Sequence, residues 1–349
     1  MANQLKNWLK RLAEPICKKL EKSILSDRSL KCKVVYGPIR SRRLGLVLGV
    51  NNVKPNVCSY NCIYCPVGKT SCCSLCTNNC LSPYELFVSV KNKMEEINKI
   101  GKKIDYILFS GSGDPAVDTG LSKEISILRE FDYKIAVYTN AASLWNENIQ
   151  ENLLCADYVS IKIDTVNENT WLRMNRPHQR LNYDLILNGI KQFSKRFRGT
   201  LTTETTLIKN FNDSKEEIED LCKFLNKIQC QASYFMTPIY PPQESFALNP
   251  SAETLKYLFG IIQEKVKNSV MLCCPKTEEF IATDDFENEL LGLLEMHPIT
   301  EEAVTSFAEA NNKIQYLNSL LENNIIESNH FNGIKYFTLV NSLQPQVVK

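Results

Sequence analysis

Cys58, Cys62 and Cys65 lie within eight residues, in the run Cys58-Ser-Tyr-Asn-Cys62-Ile-Tyr-Cys65. Thiolates this close on one short loop can converge on a single metal centre. Three thiolates hold three irons of a four-iron cluster and leave the fourth without a protein ligand. An iron with an open position can bind and activate a small molecule. The spacing therefore points to chemistry more than to structure. A closed structural zinc wants a fourth ligand, usually from a second C-x-x-C or H-x-x-x-H pair. Half of such a zinc site is the alternative reading.

The elements that must carry this loop can be read from pattern. Leu5, Trp8, Leu9, Leu12, Ile16 and Leu20 recur at helical spacing, so residues 1–32 read as a basic amphipathic helix. Residues 36–43 are a turn-rich basic segment, and 44–50 a strand that leads into the cysteine loop. Further strands are expected over 104–110, 134–139, 158–163, 201–208 and 232–237. Helices are expected between and after them, over 83–100, 121–131, 147–155, 183–197, 214–228 and 254–266. Ser82 caps the first of these helices and Pro83 takes its first position. Strand and helix in alternation imply a parallel sheet. Six such units are too few for a closed eight-stranded barrel, so a partial barrel or an open sheet fits. In either, active residues sit on the loops after the C-terminal ends of strands, where the cysteine loop lies.

The tail has another character. Residues 287–296, 301–310 and 313–323 read as three helices, and 325–329 and 334–340 flank the hairpin turn Asn332-Gly333. This suggests a winged-helix-like domain over 284–341. Residues 285–349 hold nine Asp or Glu against Lys313, Lys335 and Lys349. Phosphate binding rests on Lys and Arg, so DNA binding by the tail is disfavoured, and packing or holding a protein or peptide is preferred. Residues 1–60 are the reverse, with thirteen Lys or Arg against Glu14, Glu21 and Asp27. They suit an anionic partner such as RNA, or form a solvated helix face.

The chain has 349 residues, 44% hydrophobic and 23% charged, an ordinary globular composition. No stretch approaches the roughly 18 uninterrupted apolar residues of a membrane span. The first twenty residues carry Lys6, Lys10, Arg11, Lys18 and Lys19, unlike a signal peptide. The expectation is a cytoplasmic protein without stable membrane insertion. In that compartment clustered cysteines mean metal or catalysis more often than disulfides. Seven of the fourteen cysteines fall between Cys58 and Cys80. Cys17, Cys32, Cys155, Cys222 and Cys230 are scattered and read as small buried hydrophobes. Cys273 and Cys274 form an adjacent pair.

With its cysteine run placed after the first strand, the chain resembles radical S-adenosylmethionine (SAM) enzymes. Ser110-Gly-Ser-Gly-Asp114-Pro115, ending the second strand, is similar to that superfamily's Gly-Gly-Glu-Pro motif, with Asp114 for Glu and Ser112 for a glycine. Val137-Tyr-Thr-Asn140 ends the third strand and Ser160-Ile-Lys162-Ile-Asp164 the fourth. Tyr36-Gly-Pro-Ile-Arg-Ser-Arg-Arg-Leu-Gly45, Asn175-Arg-Pro-His178 and Asn210-Phe-Asn-Asp213 resemble the iron–sulfur oxidoreductase group related to wyosine-synthesising tRNA enzymes. The resemblance covers residues 33–245. It implies an α/β fold, a partial (βα)6 TIM-type barrel with parallel strands, here over residues 33–270 with a cysteine-rich insertion at 70–81.

The resemblance also implies cofactors and roles. Cys58, Cys62 and Cys65 would hold a [4Fe–4S] cluster whose open iron chelates the amino and carboxylate groups of SAM. One electron, from a reductant protein such as flavodoxin or ferredoxin, would break the C–S bond and give a 5′-deoxyadenosyl radical that takes a hydrogen atom from the substrate. Tyr64 would lie against adenine, Gly113 and Asp114 at the methionine ammonium, and Asn140 and Asp164 at the ribose hydroxyls. Plainer readings stand beside these. Asn140 can cap the next helix, and Lys162 and Asp164, two apart on a strand, can be an ion pair. His178 is a candidate catalytic residue or a hydrogen-bonded structural histidine. Arg173 and Arg176 share its loop and suit a carboxylate or phosphate.

Cys72, Cys73, Cys76 and Cys80 follow the first trio at once. Cys73, Cys76 and Cys80 are spaced for one metal, which Cys72 or the Cys273/Cys274 pair would complete. An auxiliary iron–sulfur cluster, a structural zinc and unligated thiols are the three readings. RNA and a peptide or protein compete as substrate: the basic N-terminus and the resemblance favour RNA, the acidic tail a peptide. From another class, the chain can be a non-catalytic iron–sulfur scaffold or electron carrier, which would bind a cluster without turning over SAM.

Overall fold

The fold comes from a computed structural model that describes residues 34–75, 82–273 and 286–340. The expected helix over 1–32, together with Cys76, Cys80 and Cys274, lies outside the described residues. The chain starts with an antiparallel pair, β1 (Val35–Ser41) and β2 (Gly45–Val50). The cysteine loop follows, opened by β3 (Val57–Cys58) and closed by β4 (Cys72–Cys73). Then come α1 (Pro83–Lys99), β5 (Tyr106–Phe109), α2 (Leu121–Leu128), β6 (Lys134–Thr139), α3 (Glu147–Leu154) and β7 (Tyr158–Lys162). The series continues with α4 (Glu168–Asn175), α5 (Tyr183–Arg196), β8 (Thr200–Thr206), α6 (Lys215–Leu225), β9 (Ala232–Met236), α7 (Ala252–Lys265) and β10 (Ser269–Leu272).

These strands make one eight-stranded sheet in the order β1-β2-β5-β6-β7-β8-β9-β10, parallel from β2 onward. The six expected strands are all present, each beside its neighbour in sequence. Three elements go beyond that expectation. The basic segment over 36–43 is largely strand β1, because an edge strand tolerates Pro38 and absorbs Gly37 in a register shift between Tyr36 and Ile39. The short β10 adds a seventh parallel strand. Helix α4, capped by the Asn167 side chain on the Thr170 N–H (3.2 Å), fills the stretch before α5.

Side-chain period sorts the sheet into two faces. Along β7, Val159 and Ile161 enter the main core beneath the helices, while Tyr158 enters a smaller cluster on the inner face with Leu108 and Ala136. Helix α5 buries Tyr183, Ile186, Gly189, Ile190 and Phe193 and ends on Lys195 and Arg196, where cations suit the helix dipole. At Gly189 a Cβ would stand 2.1 Å from the Leu144 carbonyl oxygen, so only glycine lets helix and loop approach this closely. Helix α1 begins with the expected Ser82 cap, completed by Glu85 into a capping box.

Arg43 shows that the sheet curls. Its guanidinium donates to Ser160 Oγ on β7 (3.1 Å), pairs with Glu204 on β8, and lies 4.4 Å from the Tyr138 ring on β6 and 5.0 Å from the Tyr234 ring on β9. Strands lie about 4.8 Å apart, so four strands of a flat sheet would span roughly 14 Å. Arg43 stands just before β2, which is four strand spacings from β8 in the sheet order, so its guanidinium could not reach Glu204 if the sheet were flat. The sheet is thus a partial barrel, and Arg43 enters its lumen from the β1–β2 turn.

The tail forms α8 (Phe286–Leu294), β11 (Ile299–Thr300), α9 (Glu301–Ala310), α10 (Ile314–Glu322), β12 (Ile326–Phe331) and β13 (Ile334–Leu339). The three helices and the hairpin are those expected. Asn332 and Gly333 both take positive φ, 50° and 77°, as a tight hairpin turn requires. The short β11 makes a three-stranded sheet of order β11-β13-β12. Its core of Leu290, Leu293, Phe307, Leu317 and Phe337 takes in Tyr36 of β1, and Tyr336 donates to the Ile239 carbonyl (2.6 Å). The described residues from Val34 to Val340 therefore form one compact unit.

The Arg43–Glu204 pair yields a test. Burial opposes the Glu204 charge, but Arg43 and Lys162 outweigh it and hold the carboxyl below its ordinary range. The stability this supplies is present above the unfolded carboxyl pKa and is lost as pH falls through the folded one. Arg43→Met should cost about 3–5 kcal/mol in urea unfolding at pH 7, because it strands a buried carboxylate. Arg43→Met/Glu204→Leu should recover most of that loss.

Candidate functional site

The cysteine loop is clamped from three directions. At its base, β3 and β4 pair in parallel with Cys58 opposite Cys73. On one flank it bonds to the end of α4 and the turn beyond. Asn61 N–H donates to the Asn175 carbonyl (2.9 Å), Ile63 N–H to the Met174 carbonyl (2.9 Å), and His178 N–H to the Ser59 carbonyl (2.9 Å). On the other flank Glu244 N–H donates to the Ile63 carbonyl (2.9 Å). Arg176, at φ 44°, turns the chain out of α4 and pairs with Glu244, joining the two flanks. The Asn175-Arg-Pro-His178 segment is thus the clamp of the loop. The His178 ring is turned to the backbone of the following turn, with Nδ1 accepting from Arg180 N–H (3.2 Å).

Two side-chain amides address the sulfurs. Asn140 Nδ2 donates to Cys58 Sγ (3.3 Å) and Asn175 Nδ2 to Cys62 Sγ (3.4 Å). Burial pushes the Cys62 thiol up to about 12, aided by repulsion from Cys65. Burial also raises Cys58, with Asp114 and Cys62 adding to it, and raises Cys65. Three bare thiolates would therefore repel one another in a half-buried site that already disfavours their charge. A cationic iron–sulfur group removes that conflict, and its sulfurs accept N–H donors of this kind. Among the described residues no three His, Cys, Asp or Glu side chains converge on one metal ion. The fit to an iron–sulfur group rests on the donor chemistry.

The strand ends expected to hold SAM come together around these sulfurs. Gly113 passes so close to β3 that a Cβ would lie 2.0 Å from the Val57 carbonyl oxygen. The buried Asp114 carboxylate accepts from Ala116 N–H (3.0 Å), Thr139 Oγ1 (2.8 Å) and Asn140 N–H (3.2 Å). It ties the loop after β5 to the loop after β6. Asn140 Oδ1 accepts from Ala142 N–H (2.9 Å) while its nitrogen faces Cys58 and Ser59 Oγ (3.0 Å). Asn140 therefore closes a turn and reaches the cysteine loop; it does not cap the next helix, as its plain reading has it, because Asn146 takes that position.

Asp164 stands at the centre of a second network. Tyr64 donates to it, as do Asn175 Nδ2 (2.9 Å) and Thr206 N–H (2.8 Å). Lys162 Nζ lies 3.8 Å from Asp164, donates to Thr206 Oγ1 (2.6 Å) and sits 5.1 Å from the Tyr64 ring. Asn140, Lys162, Asp164 and Asn175 line one small cavity with Tyr60 and Trp171. Asn175 is the residue whose role the sequence reading lacks. Its signal is the cap Asn167-Glu168 followed by Trp171 and Met174 at helical spacing. Cys73 lies beside the first trio, its thiol donating to the Ser59 carbonyl (3.4 Å).

A family model described as the radical SAM superfamily matches residues 52–225, from the start of the cysteine loop to the end of α6. The chain belongs to the radical SAM superfamily of enzymes. It is 35% identical over 281 residues to a UPF0026 protein of Methanocaldococcus jannaschii, covering 80% of this chain and 87% of that one. It is 29% identical over 340 residues to a protein of Brachyspira hyodysenteriae named GTPase Obg, covering 94% of this chain and 48% of that protein. Its fold is similar to a crystal structure of a radical SAM methyltransferase from Sphaerobacter thermophilus (TM-score 0.54, 16% identity, 68% of this chain and 69% of that one). Radical SAM membership implies SAM and a [4Fe–4S] cluster as cofactors. No helix among the described residues is long and apolar enough to cross a membrane.

Asp114 offers a pH test. Burial raises its carboxyl from 3.8 to about 6. The folded state therefore binds the proton more tightly, and the stability from protonation is lost as pH rises through about 6. Wild-type stability without cofactors should fall by about 2 kcal/mol from this group between pH 4 and 7. Asp114→Asn should flatten that part of the profile, read by urea unfolding across the same range.

Proposed function

We propose that Cys58, Cys62 and Cys65 hold a [4Fe–4S] cluster and that the cavity beside them takes SAM. When bound, the pair supplies a 5′-deoxyadenosyl radical, by one-electron cleavage of the sulfonium C–S bond, for hydrogen abstraction from a macromolecular substrate. The observation that carries the reading is the placement, at the C-terminal ends of parallel strands, of three half-buried cysteines on one loop, two amides aimed at their sulfurs, and the Asp164 network beside them. Asp164 is preset to accept ribose hydroxyls, because Tyr64, Asn175 and Thr206 fix its orientation. Tyr64 has its ring held near Lys162 and offers a face to adenine. Asn140 and Asn175 donate to sulfur and stabilise the thiolate form. Gly113 brings the β5 loop against the cysteine loop, and Asp114 fixes Asn140 in place. His178 holds the loop through its backbone N–H on the Ser59 carbonyl, and its ring is the candidate for proton transfer.

The reading extends to the rest of the chain. Residues 33–270 are the catalytic barrel and 284–341 a winged-helix-like domain, a reading supported by the element order of the described residues 286–340. The substrate is RNA or a polypeptide, and the electron comes from an external reductant such as flavodoxin or ferredoxin. The protein works in the cytoplasm. The cysteines from Cys72 to Cys80 hold an auxiliary iron–sulfur cluster or a zinc, since Cys73 lies against the first cysteine loop.

Two experiments test this. Anaerobically reconstituted, dithionite-reduced protein should form 5′-deoxyadenosine from SAM, measured by chromatography. Cys58→Ala should abolish it, and Asp164→Asn should raise the KM for SAM roughly tenfold by loss of a charge-assisted hydrogen bond. A cluster-loaded protein that yields none would be a scaffold or carrier. Separately, Cys73→Ala/Cys76→Ala should lower bound iron or zinc per chain while leaving 5′-deoxyadenosine formation detectable. Unchanged metal content would remove the second centre.

A further inference from the structure

A groove of about 330 Å³ opens where the cysteine loop meets the tail. That volume lies in the range of ligand sites. One wall is Cys65 to Gly68, the outgoing end of the cysteine loop. The second is the turn Pro241-Pro242-Gln243. The third is the tail, through Leu294, Glu295 and Pro298 and through the sheet face that carries Glu327, Asn329 and Thr338. The groove therefore touches a proposed cluster ligand at one end and the acidic tail at the other.

Its chemistry is one-sided. The lining has two carboxylates, Glu295 and Glu327, and no Lys, Arg or His. Glu327 accepts from Asn329 Nδ2 at 3.4 Å and from Thr338 Oγ1 at 3.5 Å, both at the long limit of a hydrogen bond. An ammonium or guanidinium donor at normal distance would bind this carboxylate more strongly than either neighbour does. Leu294, Pro298 and Leu339 offer an apolar wall along which the methylene stem of such a side chain can lie. The only charged side chains in this lining that a phosphate backbone would meet are carboxylates, whereas nucleic-acid affinity rests on cations.

We propose that this groove grips a polypeptide segment through a lysine or arginine side chain directed at Glu327, holding the segment beside Cys65. The proposal deepens the proposed function by choosing polypeptide over RNA as the substrate class. It can fail alone, because the binding measured below requires neither reductant nor SAM cleavage.

The test is fluorescence anisotropy on full-length, anaerobically reconstituted protein. Three labelled probes are compared: Ala-Ala-Lys-Ala-Ala, Ala-Ala-Glu-Ala-Ala and a decauridylate. The lysine peptide should bind best. Glu327→Gln should weaken it roughly tenfold, the loss expected for one charge-assisted hydrogen bond. Glu327→Lys should reverse the order of the two peptides, and Glu322→Gln, outside the groove, should change nothing. 5′-Deoxyadenosine formation without peptide should be the same in Glu327→Gln as in wild type, which separates this site from the SAM site. Equal binding of the two peptides by wild type, lysine-peptide binding indifferent to Glu327→Gln and Glu327→Lys, or decauridylate displacing the lysine peptide would overturn the proposal.

Discussion

The site depends on Asn175. Its carbonyl accepts the Asn61 N–H and its side-chain nitrogen faces Cys62 Sγ, the Tyr64 hydroxyl and Asp164 Oδ2. One buried amide thus joins the cysteine loop, the strand end that carries Asp164, and the helix that carries Asn175 itself. A loop with three thiols is hard to hold by packing alone, since cysteines are small and their charges repel. Backbone hydrogen bonds from a rigid helix end do the holding. The positive φ of Arg176, and its ion pair to Glu244, turn the chain so that both flanks of the loop are served.

A second constraint lies beneath. Arg43 and Glu204 put opposite charges into the barrel lumen, where the tyrosine rings of β6 and β9 flank the guanidinium. Replacing both by apolar groups would cost little, whereas losing either alone strands a charge. β6 and β7 are paired neighbours in the sheet, and their ends place Asn140 and Asp164 at one cavity. The floor of the barrel and the cofactor end are linked through Glu204 and Lys162, whose charges lie on neighbouring strands and interact.

Much of this was legible in the sequence. The alternation of strands and helices is carried by local periodicity, and Ser82-Pro83 and Asn332-Gly333 are local signals with local causes. The three cysteines and the strand ends at Asp114, Asn140 and Asp164 follow from position. What stayed hidden depends on tertiary context. β1 contains Gly37-Pro38, a turn signal that only an edge strand can absorb. Helix α4 is eight residues long and mostly polar, so its Trp171–Met174 face is a weak pattern. The lone Glu204 in a threonine-rich strand is visible, but its partner Arg43 is 161 residues away. The groove beside Cys65 arises only when the tail folds back onto the barrel.

The central claim is that Cys58, Cys62 and Cys65 hold a cluster whose open iron meets SAM. Electron paramagnetic resonance of reduced, reconstituted protein addresses it most directly. A reduced four-iron signal should appear, change its g values when SAM is added, and lose that response in Cys58→Ala/Cys62→Ala/Cys65→Ala. A signal that ignores SAM, or a SAM response that survives the triple variant, would contradict the account.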